Sequence, residues 1–155
     1  FTLGNSPLEY DPQTILDKDC VLTTTNGTRA IHMADAADEV LIGSVSNVDA
    51  LCSWIQNDGR DVVLICSGTD GMVSFEDCLG AGLSYAATDN AAMMYHAMEG
   101  ASMRFGGFRF AVESSFHAKR LIEMGFGRDV EHACQMGISS VVPVFDSVIG
   151  EIVTD

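Results

Sequence analysis

The chain has 155 residues, of which 47% are hydrophobic, and a formal net charge of −14 at neutral pH. That length and apolar content predict one globular domain with a buried core and exclude a disordered chain. Because the chain holds 22 acidic residues against eight basic ones, its surface repels nucleic acid and anionic membranes, and we exclude both as partners.

The five cysteines are odd in number and form no Cys-x-x-Cys pair. They predict free thiols in a reducing compartment rather than a disulfide framework or a zinc site. No apolar run is long enough to span a bilayer and no signal peptide is visible. We therefore expect a cytoplasmic protein.

The first predicted strand, residues 20–25, leads into a loop rich in threonine that carries one arginine, Arg29. Free backbone N–H groups at the start of a helix attract negative charge, and a guanidinium binds a phosphate through two parallel hydrogen bonds. Arg29 is also the only cation between Lys18 and Arg60. The loop predicts a phosphate site formed by six residues, Thr24, Thr25, Asn26, Gly27, Thr28 and Arg29. The alternative is that Asn26 or Thr28 only caps a helix that begins near Arg29.

Two further apolar runs, residues 39–43 and 61–66, alternate with helical patterns. The clearest helix follows a capping-box spacing from Ser46 to Asp49 and places apolar residues on one face, at Val48, Leu51, Cys52 and Ile55. This alternation predicts a three-layer α/β/α fold with a mostly parallel or mixed sheet. Ligands of such folds bind beyond the carboxyl ends of the strands, where the threonine-rich loop would lie.

The run at 61–66 leads into a second loop at the same predicted sheet edge, where Gly68 and Thr69 are candidate substrate contacts. Glu76 and Asp77 then open a helix rich in glycine and alanine. Two adjacent carboxylates near strand ends fit a magnesium site or a general base. The alternative is structural, because Ser74 and Asp77 have capping-box spacing and acidic residues favour the first turn of a helix.

The rest of the chain predicts further helices and a final pair of strands. A helix begins at Asp89, where an N-cap is the commoner role. We expect helices over 113–124, with Phe116, Leu121 and Met124 inward, and over 129–136, then strands over 141–145 and 149–153. A turn at Asp146-Ser147 is expected to join those strands.

Several enzyme classes lack support in this sequence. It contains no G-x-S-x-G, G-x-G-x-x-G or G-x-x-x-x-G-K-[ST] motif, which removes the usual signals of a hydrolase elbow, a dinucleotide site and a P-loop. The four histidines show no ligand spacing. The threonine-rich loop and the paired acids Glu76 and Asp77 are therefore the features from which we predict a chemical function.

An ordered set of motifs runs nearly from end to end of the chain: Gly4-Asn5-Ser6-Pro7, the run 23–30, Gly43-Ser44 with Asn47, Ser67-Gly68-Thr69, Glu76-Asp77 with Ala81-Gly82, Asp89, and Asp129-Val130 with Cys134 and Pro143. This set closely resembles the 2-phosphosulfolactate phosphatases. It departs from the family pattern at Asn90, which interrupts an Asp-Ala-Ala run, and at Ser67, where alanine is common.

The resemblance implies a magnesium-dependent phosphatase that acts on a small anionic phosphorylated 2-hydroxy acid, in the family's named case on the route to coenzyme M. Together with the residue patterns, it makes Arg29, Glu76 and Asp77 the candidate catalytic residues, and Glu76, Asp77 and Asp89 the candidate Mg²⁺ ligands. Asp129 is a further candidate. The matching motifs add three possible substrate contacts, Asn5, Ser6 and Asn47. Direct attack by water and a covalent aspartyl intermediate both remain open.

The resemblance also implies two similar α/β units that exchange C-terminal strands, and an N-terminal portion, with its own Asp and Arg-Ala-Thr motif, that has no counterpart here. We therefore expect residues 1–155 to form one α/β domain, the C-terminal part of a larger two-unit phosphatase. It would work with a separate N-terminal segment or as a homo-oligomer. The alternative function is a non-catalytic anion-binding or assembly subunit on the same scaffold.

Overall fold

The structure, a computed structural model, describes residues 2–85 and 106–154. It is a mixture of helices and short strands. The helices are α1 (Pro12–Ile15), α2 (Gly27–Met33), α3 (Val48–Asp58), α4 (Phe75–Tyr85), α5 (Phe108–Glu113), α6 (Phe116–Glu123) and α7 (Gly127–Ala133). The strands are β1 (Val40–Leu41), β2 (Val144–Asp146) and β3 (Glu151–Val153), and 3-10 turns lie at Pro7–Glu9 and Val45–Asn47. Within these ranges, no helix has the length and hydropathy needed to cross a membrane.

The strands of the described ranges form one antiparallel sheet in the order β1-β2-β3. Val40 pairs with Phe145, which pairs in turn with Ile152. The predicted turn between the last two strands is confirmed, because the N–H of Gly150 donates to the carbonyl of Asp146 at 2.8 Å. This hairpin places β2 beside β1 and β3 on the far side of β2.

Two of the predicted strands, residues 20–25 and 61–66, are not strands in the structure. Their apolar side chains face solvent, since Val21 is 97% exposed and Val63 is 82% exposed. A strand needs a neighbouring backbone to pair with, and none of the described segments pairs with either run. The parallel pairing expected among 20–25, 39–43 and 61–66 is therefore wrong for the described residues, where only β1 forms and pairs antiparallel.

Helix α3 matches its prediction closely. Val48, Leu51 and Ile55 are buried on one face, and the helix ends at Gly59, whose φ of 74° is left-handed. The capping residues differ from the expected pair, because the side chain of Asn47 accepts a hydrogen bond from the N–H of Ser44 at 2.8 Å. The chain thus enters α3 through the 3-10 turn at Val45–Asn47.

The main core lies among the helices of the second half, where Leu79, Ala111, Val112, Ala118 and Val130 are buried together. The helix predicted over 113–124 is present as α6, which begins only at Phe116, and residues 114 and 115 divide it from α5, which ends at Glu113. Ser115 causes the division, because its hydroxyl accepts the N–H of Ala118 at 3.1 Å and caps α6. Leu121 packs against this core as predicted, whereas Phe116 and Met124, at the two ends of α6, are 84% and 59% exposed rather than inward.

Candidate functional site

The threonine-rich loop ends in a cap of α2 made by its own hydroxyls. The N–H of Thr28 donates to Oγ1 of Thr24 at 2.9 Å, and the N–H of Thr24 donates to Oγ1 of Thr28 at 3.3 Å. Gly27 lies close to this pair, since a Cβ there would be 3.0 Å from Oγ1 of Thr24. A structural cap is therefore present, but Thr24 provides it rather than Asn26 or Thr28.

A cavity of about 310 Å³ opens beside α2, and we call it the Arg29 cavity. Asn26 and Arg29 line it from α2 and its N-cap, while Ser67 and Gly68 line it from the second loop. The other lining residues are Ala30, Met33, Ile65, Cys66, Gly71, Met72 and Val73. The structure thus brings together the two loops that the sequence singled out, although Thr24, Thr25, Gly27, Thr28 and Thr69 do not line this cavity.

The guanidinium of Arg29 differs from two other arginines of the chain. Among residues 2–85 and 106–154, it forms no ion pair with a carboxylate, and it is exposed. Arg60 and Arg109 each bind two carboxylates, from Asp58 and Glu39 and from Glu113 and Glu131 respectively. These hydrogen bonds raise the pKa of both guanidiniums. The charge of Arg29 is therefore available to an anion in the cavity.

The second loop is a tight two-residue hairpin. The N–H of Thr69 donates to the carbonyl of Met72 at 3.0 Å, and the reverse bond measures 2.9 Å. Asp70 and Gly71, at its tip, have φ of 51° and 77°, as a type I′ turn requires. Gly68 precedes the hairpin with φ of 70°, and a Cβ there would lie 2.6 Å from the Met72 carbonyl oxygen. Only glycine fits that position.

Asp77 lies behind this loop, in the first turn of α4. Its Oδ2 accepts the N–H of Gly68 at 2.7 Å and the hydroxyl of Ser67 at 3.1 Å. Its Oδ1 is 2.9 Å from the hydroxyl of Ser74, which in turn accepts the N–H of Asp77 at 3.1 Å and caps the helix. The carboxylate is thus bound by protein donors on both oxygens.

Glu76 faces a different cavity, of about 370 Å³, on the other side of the loop. Its Oε2 lies 3.1 Å from the hydroxyl of Ser74, and its Oε1 accepts the hydroxyl of Ser115. Because Ser115 caps α6, this contact joins α4 to α6. His117 also lines the cavity. The two adjacent acids therefore point in different directions, and neither of them lines the Arg29 cavity.

The predicted magnesium site fits Glu76 better than Asp77. Within the described residues, no three His, Cys, Asp or Glu side chains are close enough together to hold a metal ion. Mg²⁺ commonly takes only one or two carboxylates, together with water and substrate phosphate. Each oxygen of Glu76 meets one hydroxyl, whereas Asp77 also holds a backbone N–H. The third predicted ligand, Asp89, lies outside the described residues.

Asn47, a predicted substrate contact, is 5% exposed. Its amide donates to the carbonyls of Ile42 and Val141 at 3.1 and 3.0 Å, and its oxygen accepts the N–H of Ser44. These bonds hold the end of β1 against the segment that leads into β2. Asn47 does not line either cavity described above.

The N-terminal motif lies elsewhere. Ser6 donates its hydroxyl to the carboxylate of Asp129 in the first turn of α7, and Asn5 is exposed. Neither Asn5 nor Ser6 lines the Arg29 cavity. The bond between Ser6 and Asp129 joins the N-terminal segment to α7.

Sequence reasoning missed the apolar part of the Arg29 cavity and Cys66, which lines it. Burial raises the pKa of Cys66, and the neighbouring Cys78 and Asp77 raise it further. A signal was present, since Cys66 directly precedes the Ser67-Gly68 loop. The reactivity of the Cys66 thiol can therefore be used to follow changes in this wall of the cavity.

Comparisons with known proteins match nearly the whole chain to one family. A sequence profile described as 2-phosphosulpholactate phosphatase matches residues 1–147.

Similar proteins from several bacteria carry the name "Probable 2-phosphosulfolactate phosphatase". The relative from Caldanaerobacter subterraneus is 34% identical over 158 residues, covering 92% of this chain and 62% of the relative. That from Carboxydothermus hydrogenoformans is 37% identical over 153 residues, covering 92% and 61%. That from Clostridium acetobutylicum is 35% identical over 166 residues, covering 98% and 66%. The chain spans less than two thirds of the length of each of these relatives.

Proposed function

The chain belongs to the 2-phosphosulfolactate phosphatase family, and we propose that it hydrolyses the phosphate monoester of a small 2-hydroxy acid, such as 2-phosphosulfolactate, with the help of Mg²⁺. The observation that carries this proposal is the position of Arg29. Its guanidinium has no carboxylate partner among the described residues and lines a cavity together with the Ser67-Gly68 loop. On a chain with a net charge of −14, an anion needs such a local positive charge.

The substrate phosphate binds in the Arg29 cavity under this proposal. The guanidinium forms two parallel hydrogen bonds with phosphate oxygens and balances the charge that builds on them during transfer. Asn26, whose side chain does not cap α2, supplies an amide donor from the same side. Ligand pockets span about 300 to 1,000 Å³, so a cavity of about 310 Å³ favours a small substrate.

Mg²⁺, when bound, would neutralise phosphate charge and polarise the phosphoryl group. Glu76 is the described residue that we propose to hold it, and Asp89 remains the second candidate. Val73 lines both cavities, so the Glu76 and Arg29 sites adjoin at this residue. We leave open whether water or a carboxylate of the protein attacks the phosphorus.

The test is phosphate release from phospholactate and phosphosulfolactate by the purified protein, with and without EDTA. We expect release that EDTA abolishes and added Mg²⁺ restores. Equal rates of phosphate release with and without EDTA would show that the reaction does not need Mg²⁺. Tight binding of inorganic phosphate without turnover would instead favour the non-catalytic anion-binding subunit.

We also propose that the working protein is a larger assembly. The exposed apolar runs at 20–25 and 61–66 have unpaired backbones in the described structure, and such segments favour pairing with another chain. A second copy, or family sequence outside this chain, would cover them and complete the expected three-layer fold with exchanged C-terminal strands. Light scattering combined with intact-mass analysis tests this, and an active monomer of 16.6 kDa would refute it.

A further inference from the structure

We propose that Asp77 is a positioning residue: its carboxylate holds the Ser67-Gly68 wall of the Arg29 cavity in place, and it binds neither metal nor substrate. This inference rests on the proposed function, because the wall matters through the anion that Arg29 binds. It differs from the sequence-based expectation, which made Asp77 a metal ligand or a base.

The backbone of the wall needs an anchor. Gly68 has a left-handed φ of 70° and lies so close to the Met72 carbonyl that a Cβ would be only 2.6 Å from the oxygen. The hairpin that follows satisfies Thr69 and Met72 but not the N–H of Gly68. That N–H donates to Asp77 at 2.7 Å, the shortest of the three bonds at this carboxylate. Without Asp77, this half-buried donor has no protein acceptor, and the loss of its bond removes the anchor of the wall.

Metal binding by Asp77 would compete with these bonds. Its Oδ2 already accepts two donors, from Ser67 and Gly68, and its Oδ1 faces the Ser74 hydroxyl. A cation on either oxygen would meet the donor groups already there. The anchoring role needs only an uncharged acceptor toward Gly68, and this difference provides the test.

An asparagine at position 77 keeps that acceptor. Its oxygen can take the position of Oδ2, toward Ser67 and Gly68, while its amide nitrogen faces the hydroxyl of Ser74. That hydroxyl can accept the new donor because its own proton can turn to Oε2 of Glu76, 3.1 Å away. Asp77→Asn therefore preserves the wall and removes the charge, whereas Asp77→Ala removes both.

The experiment compares these two variants with wild-type protein in Mg²⁺, measuring KM and kcat for phospholactate and Kd for inorganic phosphate. We expect Asp77→Asn to stay within about fivefold of wild type in all three constants, because a neutral acceptor replaces a charged one. Asp77→Ala should raise KM and the phosphate Kd at least about tenfold, the effect of about 1.4 kcal/mol, with a smaller change in kcat. Thermal melts confirm that each variant is folded.

The control is Asp70→Asn at the exposed tip of the same hairpin. This substitution removes one charge from the loop at a residue that is not hydrogen-bonded to Asp77, and asparagine tolerates the φ of 51° at this position. We expect wild-type constants. If Asp77→Ala fails to fold, Asp77→Asn still tests the inference, because a metal-binding or basic role of Asp77 requires a loss of kcat in that variant.

Two results with the variants would overturn the inference. Equal loss of kcat in Asp77→Asn and Asp77→Ala would show that the charge is needed and would return Asp77 to a metal-binding or basic role. Wild-type KM and Kd in Asp77→Ala would show that the wall does not depend on it. If wild-type protein lacks phosphatase activity, the proposed function fails, and the phosphate Kd alone decides the role of Asp77. If inorganic phosphate does not bind either, there is no anion site to position and the inference fails as well.

Discussion

Arg29 is the residue on which the proposed function depends most directly. Arg29→Ala removes the cavity's guanidinium, which is not paired with any described carboxylate. Loss of one donor that stabilises the transferring group costs about a hundredfold or more in kcat, or about 2.7 kcal/mol. Because Arg29 is exposed, the free energy of unfolding should change by less than about 0.5 kcal/mol.

Arg29→Lys tests whether the site needs only the positive charge of Arg29 or also the planar geometry of its guanidinium. An ammonium keeps the positive charge but cannot form the planar pair of hydrogen bonds. We expect a loss of kcat/KM of about tenfold or more, between wild type and Arg29→Ala. Arg120→Ala is the matched control, because Arg120 is exposed on α6 and lines neither cavity.

The assay is phosphate release from phospholactate over a range of substrate and Mg²⁺ concentrations, with calorimetric titration of inorganic phosphate as a separate measure of binding. Arg120→Ala should match wild type in both. Turnover of Arg29→Ala within about threefold of wild type would refute the central position of Arg29. Loss of turnover with unchanged phosphate binding would restrict Arg29 to the chemical step.

Three further predictions concern the loops around the site. Gly68→Ala should destabilise the fold by about 1 to 3 kcal/mol in urea melts and weaken phosphate binding, because its Cβ meets the Met72 carbonyl at a positive φ. Alkylation of Cys66 should have its midpoint above the usual thiol pKa of about 8.5, since burial raises its pKa and the thiolate forms only at higher pH. Asp77→Asn should lower that midpoint, because the negative charge of Asp77 contributes to the rise. Ser115→Ala should cost about 1 kcal/mol in thermal melts through loss of the α6 cap.

Each of these has a result that would contradict it. Gly71→Ala, at a glycine with open space around it, should be milder than Gly68→Ala, and the reverse order would contradict the close approach to Met72. If Asp77→Asn leaves the alkylation midpoint of Cys66 unchanged, the charge of Asp77 does not affect the pKa of that thiol. A Ser115→Ala variant as stable as wild type would mean that the Ser115 hydroxyl does not hold α6.

Much of the candidate site was visible in the sequence. The threonine-rich loop with Arg29 and the Ser67-Gly68 loop were both selected from residue types, and they meet at the Arg29 cavity. The residues around Glu76 and Asp77 in the sequence do not determine the roles of these two acids. The same spacing supports a helix cap and a ligand pair, and only the loop folded back on Asp77 shows which donors reach it. Asn47 is a candidate because of its motif, and only the structure shows that its buried amide binds the backbone of Ile42 and Val141.

The sequence by itself determined the elements whose hydrogen bonds stay within one segment. Helix α3 follows from the spacing of its buried residues and ends at Gly59, and the hairpin of β2 and β3 follows from two apolar runs around a turn. Residues 20–25 and 61–66 have equally strong apolar patterns, yet their state depends on a backbone neighbour that the pattern does not contain. The tertiary structure therefore decided strand pairing and the direction of each carboxylate, because both depend on groups distant in sequence and close in space.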